Sequence, residues 1–266
     1  MRSVYGILAF IMLVCFGCQW QLRPSDDAAA QNTVGIQRYD RIESLYLTTG
    51  DYSALQQMNT YFPMQTRMLI EDVLHLGKVN DPTINTKFLY FFQDSTLQRM
   101  LSDVQLQYAD MDDIAAELSE AFLRLRSRLP DMEIPEVYTQ ISSFDQSIIV
   151  GNNTLGISLD KYLGADYPFY LDHYSAEQRA MMTRSMIVPD CVAFYLLSLY
   201  PLSGNATQQA RDQHMGRIQH TVNTIVGRRV FDNALVRTAE QYVRQNPSAT
   251  IPELLIPASV AAVTGE

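Results

Sequence analysis

Apolar residues recur at helical spacing through most of the first half of the chain. From Tyr39 to Gly50 (YDRIESLYLTTG), Ile42, Leu45 and Tyr46 fall at i, i+3 and i+4, and a glycine ends the run. Ser53–Gln57 opens a second helix, which Tyr61-Phe62-Pro63 interrupts because the residue before a proline is pushed out of helical geometry. Arg67–Leu76 (RMLIEDVLHL) resumes helical spacing and stops at Gly77; Thr83–Phe92 and Thr96–Gln107 follow. Over Asp112–Leu129, Ile114, Leu118, Ala121, Phe122 and Leu125 form one apolar face, so this stretch reads as an amphipathic helix.

The period changes after Pro130. Val137–Ser142 (VYTQIS), Ser147–Val150 (SIIV) and Leu155–Leu159 (LGISL) are rich in β-branched and aromatic residues, with Gly151-Asn152-Asn153 as a tight turn before the third. Three short strands in sequence predict an antiparallel meander near 137–159. A helical turn and an aromatic loop are expected over Asp160–Tyr170, and helices over Ala176–Met186, Pro189–Tyr200, Thr207–Val226, Asp232–Asn246 and Ile251–Ala262. Helices on both sides of a small sheet predict an α+β protein, mainly helical. No repeat of 20–50 residues is visible, which argues against a solenoid.

The N-terminus follows different rules. Val4–Phe16 (VYGILAFIMLVCF) is apolar, follows a single charge at Arg2, and is too short to span a bilayer as a permanent helix. It ends at Gly17-Cys18, a small residue before a cysteine, which resembles a bacterial lipoprotein signal cut before Cys18. Residues 1–17 are then the signal peptide, and Cys18 carries the lipid, palmitate included. An ordinary signal peptide or an uncleaved anchor is the alternative. Residues 18–35 are polar and aperiodic and read as a tether reaching up to about 50 Å, which leaves 36–266 as one folded domain.

Charge and cysteine content narrow the possibilities. The formal balance is −9 over 266 residues, and clustered Lys and Arg for phosphate contacts are lacking, so nucleic-acid binding is not expected. RLRSR at 124–128 lies on the amphipathic helix, where a solvated face accounts for it. With Cys15 removed and Cys18 acylated, Cys191 has no disulfide partner and reads as a small buried hydrophobe.

Catalytic patterns are weak. The four histidines, His75, His173, His214 and His220, contain no i, i+4 pair, so no HExxH zinc helix can be built. Ser142, Ser143, Asp145 and His173 make a triad only on paper, without a GxSxG elbow. Neither a phosphate loop nor a dinucleotide fingerprint is present, and no cofactor or metal is expected.

IPEVYTQISSF (134–144), SIIVGNNTLGISLDKYLG (147–164) and DYPFY (166–170), with RYD at 38–40, Phe62-Pro63, FFQD at 91–94 and Ala121-Phe122, resemble the gliding-motility lipoprotein B (GldB-like) family over roughly residues 36–200. That family is distantly similar to zinc metallopeptidase-like proteins, so a related topology is possible, though their zinc motif is missing here. The motif reads in two ways. As structure, it is a strand-to-helix joint in which Asp160 caps a short helix, Tyr162 and Leu163 pack beneath the strand and Gly164 ends the helix. As function, Asp160, Tyr162, Gly164, Asp166 and Tyr167 form a surface for a ligand or partner.

The resemblance and the leader together imply a non-enzymatic lipoprotein of gliding-related envelope machinery. It is expected on the outer membrane facing the periplasm, because Gln19 rather than aspartate follows the cysteine, and to work with envelope protein partners. A divergent hydrolase with an unrecognised site is the alternative. A glycan or peptide binder using Tyr167–Tyr170 and Tyr174 is a third.

Overall fold

The computed structural model describes residues 34–256. The predicted leader, the predicted lipid attachment at Cys18, nearly all of the tether and the end of the predicted Ile251–Ala262 helix lie outside the described residues. Val34, assigned to the tether, is already buried, and its N–H donates to Ser119 Oγ at 2.8 Å.

The N-terminal half begins with β1 (Ile36–Gln37) and runs through helices α1 (Tyr39–Thr49), α2 (Tyr52–Tyr61), α3 (Pro63–Arg67), α4 (Ile84–Phe91), α5 (Ser95–Gln107) and α6 (Asp112–Arg128). Local chemistry sets most of the boundaries. Gly50 adopts φ 71° and closes α1 through its N–H to Tyr46 O. Asp51 and Asp94 accept the first free amides of α2 and α5. All five residues of the predicted apolar face of α6 are buried.

Two helix predictions need correction. On α1, Leu45 points to water at 43% exposure, while Tyr39, Asp40, Glu43, Ser44, Tyr46 and Leu47 face inward. Helical spacing alone left the face ambiguous, and the helix buries the side carrying two acids. The stretch read as a helix from Arg67 to Leu76 turns into a π-helical turn at Met68–Val73, with Leu74 N donating to Leu69 O at 2.8 Å. It ends at His75 with φ 51°.

The sheet contains β1, β2 (Glu136–Gln140), β3 (Ile148–Val150) and β4 (Thr154–Ser158) in the order β1-β2-β4-β3. It is mixed, not the antiparallel meander predicted. β3 and β4 form the expected hairpin, with Ile149 opposite Gly156 and Asn153 at φ 54° in its turn. β2, however, runs parallel to both β1 and β4, pairing Val137 with Leu155 and Gln140 with Ser158. Residues 141–147 carry the chain past the site of β4 to the sheet edge, so the hairpin returns β4 alongside β2. The buried run from Val137 to Gln140 fits a central strand covered on both faces. Gly156 permits the closest approach in the sheet, since a Cβ there would lie 2.5 Å from the Tyr138 ring and hydroxyl.

Beyond the sheet come α7 (Pro168–His173), α8 (Ala176–Ala180), α9 (Ile187–Leu199), α10 (Gln208–Val226), α11 (Ala234–Gln245) and α12 (Ile251–Leu255). α9 packs on β3 and β4 and touches α6 and α10, so the sheet lies between α1 and α9. α10 and α11 cross closely at Gly216, where a Cβ would meet Leu235 O at 2.5 Å. Among the described residues the fold is α+β and mainly helical, as predicted, with no helix long and apolar enough to cross a membrane.

Candidate functional site

The sequence motifs converge on the end of β2. β1 stops at Gln37, leaving β2 without a strand neighbour on that side beyond Tyr138. α1 supplies the missing partners from side chains. Thr139 Oγ1 donates to Asp40, which Arg38 also grips with two N–H groups at 2.8 and 2.7 Å. One residue past the strand, Ile141 N–H donates to Glu43 Oε2 at 2.9 Å.

Asp160 holds the next segment. Its carboxylate accepts Ser142 N–H at 2.8 Å, the Phe144 N–H and the Ser142 hydroxyl at 3.2 Å. Converging amides of this kind form a concave anion cradle, here filled by the protein's own carboxylate. The geometry requires left-handed backbone at Ser143 (φ 58°) and Phe144 (φ 66°), which costs on the order of 1–3 kcal/mol per residue and persists only where the surroundings enforce it. They do so here, because Phe144 O accepts from Lys161 Nζ at 3.0 Å and Tyr174 Oη at 3.1 Å.

A second layer of hydroxyls closes the site. Tyr170 donates to Asp160 O, Tyr108 donates to Tyr162 O at 2.6 Å, and Tyr162 donates to Asp190 Oδ2 at 2.9 Å. Burial sets the acidities. The Glu43 carboxyl is pushed well above the carboxylate range by loss of water, with Asp160 and Asp40 adding like charge and only the Ile141 amide opposing. Asp160 is raised by burial, against the pull of the Ser142 and Phe144 amides. Asp190 is raised by burial to about 7, with the Tyr162 hydroxyl opposing. Glu43 Oε1 and Gln140 Oε1 are buried without a hydrogen-bond partner.

The five predicted surface residues do not share a surface. Asp160 and Tyr162 are buried, Gly164 (φ 112°) is half-buried with its N–H on Met182 O, and Tyr167 is half-buried with its hydroxyl on Asp103 at 3.0 Å. Asp166 is fully exposed, 4.0 Å from Arg179. Asp160 also does not cap the helical turn after it as predicted; its carboxylate reaches back to the loop after β2. The catalytic layouts fare similarly. Ser142 is committed to Asp160 and the Gln146 carbonyl, and no group of three His, Cys, Asp or Glu among the described residues is placed to hold a metal ion. Cys191 is buried as a free thiol.

Sequence reasoning missed Glu43 and Asp190. The signal for Glu43 was its position in line with Tyr39 and Leu47, one helical turn from each, on the face that turned out to be buried. Asp190 interrupts an otherwise apolar helix, which is the mark of an acid with a buried partner.

The site therefore defines a class: an α+β domain in which the motif acid Asp160 and the α1 acid Glu43 clamp backbone amides at the end of a mixed sheet. The sequence model of the family described as gliding motility protein GldB matches residues 21–226, through the last residue of α10, and the chain belongs to that family of gliding-motility-related lipoproteins. No curated protein and no solved structure matches it.

Proposed function

We propose that the protein is a non-enzymatic assembly component of the gliding machinery, held by acylated Cys18 on the periplasmic face of the outer membrane. The observation that carries this reading is the commitment of the buried motif acid Asp160. Asp160 is occupied by two backbone amides and a serine hydroxyl, which supports a structural role for this motif acid over contact with a substrate. The leader ending in Gly17-Cys18 supports the anchor, and the family supports envelope partners.

In-cell cross-linking followed by affinity purification of the tagged protein, with Cys18→Ala beside it, tests the proposal. A reproducible set of envelope proteins recovered by the native chain and lost with Cys18→Ala is the expected result. Recovery of no specific set, or full rescue of spreading by the soluble variant, would overturn it. The hydrolase alternative would gain support from stoichiometric zinc in the purified protein.

A further inference from the structure

A cleft of about 440 Å³ opens between α5 and α7, beside the motif loop, with Ser95, Thr96 and Arg99 on one side and Phe169, Asp172 and His173 on the other. Its aromatic wall, Phe169 and His173, continues inward to buried Phe144 as a stack of three rings. Phe144 and Phe169 lie 4.0 Å apart at 11°, and Phe169 and His173 repeat that spacing and angle. The stack is fixed at its base by the left-handed Phe144 backbone, whose N–H and carbonyl are both held. His173 Nδ1 lies 2.8 Å from Phe169 O, which orients the imidazole and leaves Nε2 for another partner.

Facing this wall, and among the described residues, Arg99 has no ion-pair partner and the Ser95 and Thr96 hydroxyls make no hydrogen bond to the protein. The start of α5 is not itself the binding feature, since Asp94 already accepts its Thr96 and Leu97 amides. What remains open is a guanidinium, two hydroxyls, the Asp172 carboxylate and a flat ring, in a volume typical of small-ligand pockets.

That combination selects among ligand classes. A phosphate-rich ligand would set several negative charges beside the Asp172 carboxylate with the Arg99 guanidinium alone among the lining residues to balance them, and an extended peptide would find no sheet edge in the cleft to pair with. A sugar satisfies every open group: its C–H face packs on an aromatic ring, its hydroxyls both donate to a carboxylate and accept from hydroxyls, and a ring carboxylate fits the two-pronged guanidinium. We propose that this cleft binds an acidic saccharide, with a uronate-type ring against His173, its carboxylate on Arg99 and its hydroxyls on Asp172, Ser95 and Thr96. The proposal is independent of the assembly role and stands or falls separately from it.

Ligand-observed NMR titration of the full chain in detergent micelles tests it, with tetragalacturonate as the probe and cellotetraose as the uncharged control. Saturable binding of tetragalacturonate is expected, weakened about tenfold or more by Arg99→Ala and by His173→Ala, and partly retained by Arg99→Lys, which keeps charge without the fork. Asp166→Ala, outside the cleft, should leave affinity unchanged, and unchanged melting temperatures would show that the variants fold. Absence of saturable binding up to about 10 mM, equal affinity for cellotetraose, or undiminished binding by folded Arg99→Ala would each overturn the assignment.

Discussion

Glu43 and Asp160 hold consecutive backbone amides: Ile141 N–H donates to Glu43 and Ser142 N–H to Asp160, at 2.9 and 2.8 Å. Successive N–H groups of an extended chain point in opposite directions, so the two acids reach the end of β2 from opposite sides. Burial, with the like charge of Asp160 adding to it, raises the Glu43 carboxyl well above the usual range, and the two clamps are chemically unequal: Asp160 accepts three donors and Glu43 one.

That inequality predicts different mutational costs. Asp160→Asn replaces one acceptor oxygen by a donor facing the Ser142 or Phe144 amide, and should cost about 2–4 kcal/mol by urea unfolding. Glu43→Gln keeps the shape and an acceptor for the Ile141 amide at a site where burial already disfavours the charged carboxylate, and should change stability by less than about 1 kcal/mol. Equal costs would mean that Glu43 is ionised in the fold.

Asp190 gives a pH dependence. Its acidity in the fold is shifted to about 7, against about 4 in an unfolded chain, so the native state holds the proton more tightly. The resulting stabilisation is full below about pH 4 and is lost as pH rises through about 7. Asp190→Asn should therefore reduce the difference in urea midpoint between pH 5 and pH 8. An unchanged difference would place the titration elsewhere.

Gly156→Ala should destabilise by about 1–3 kcal/mol, because its Cβ would lie 2.5 Å from the Tyr138 ring in a sheet buried on both faces. Tyr138→Leu in the same chain should recover part of the loss by vacating that space. Additive losses in the double variant, measured by thermal unfolding, would show that the two positions do not compete for space.

Cys191 is fully buried, and burial pushes its thiol well above the usual range. With Cys15 and Cys18 both replaced by alanine it is the one thiol in the sequence. Maleimide labelling should be slow in buffer and fast in unfolding concentrations of urea. Rapid labelling of the native protein would reveal local opening of α9.

Legibility in the sequence varied with the kind of information involved. The α6 face and the β3–β4 hairpin were readable because periodicity and turn residues are properties of neighbouring positions. The α1 face was readable only in part: Tyr46 is buried and Ile42 packs on the core, but Leu45 is exposed while Tyr39, Glu43 and Leu47, which recur at the same spacing, are buried toward a β2 partner that the local sequence does not record. The meander failed for the same reason: nothing within 134–159 records that β4 pairs with β2 in parallel. Within the site, Asp160 was legible as important through family resemblance, but its role as a backbone clamp depends on a loop 16 to 18 residues away.

By itself the sequence determined the lipoprotein-like leader, the acidic balance, the lack of a zinc or nucleotide motif, the mainly helical α+β class and the family. Each is fixed by residue identity or short-range spacing. Tertiary structure decided which acids are buried, which amides they satisfy, how the strands are ordered, and that Arg99 faces the Phe169–His173 stack across an open cleft. Those outcomes depend on long-range pairing and on the loss of water around charged groups, and neither is encoded in any local stretch of chain.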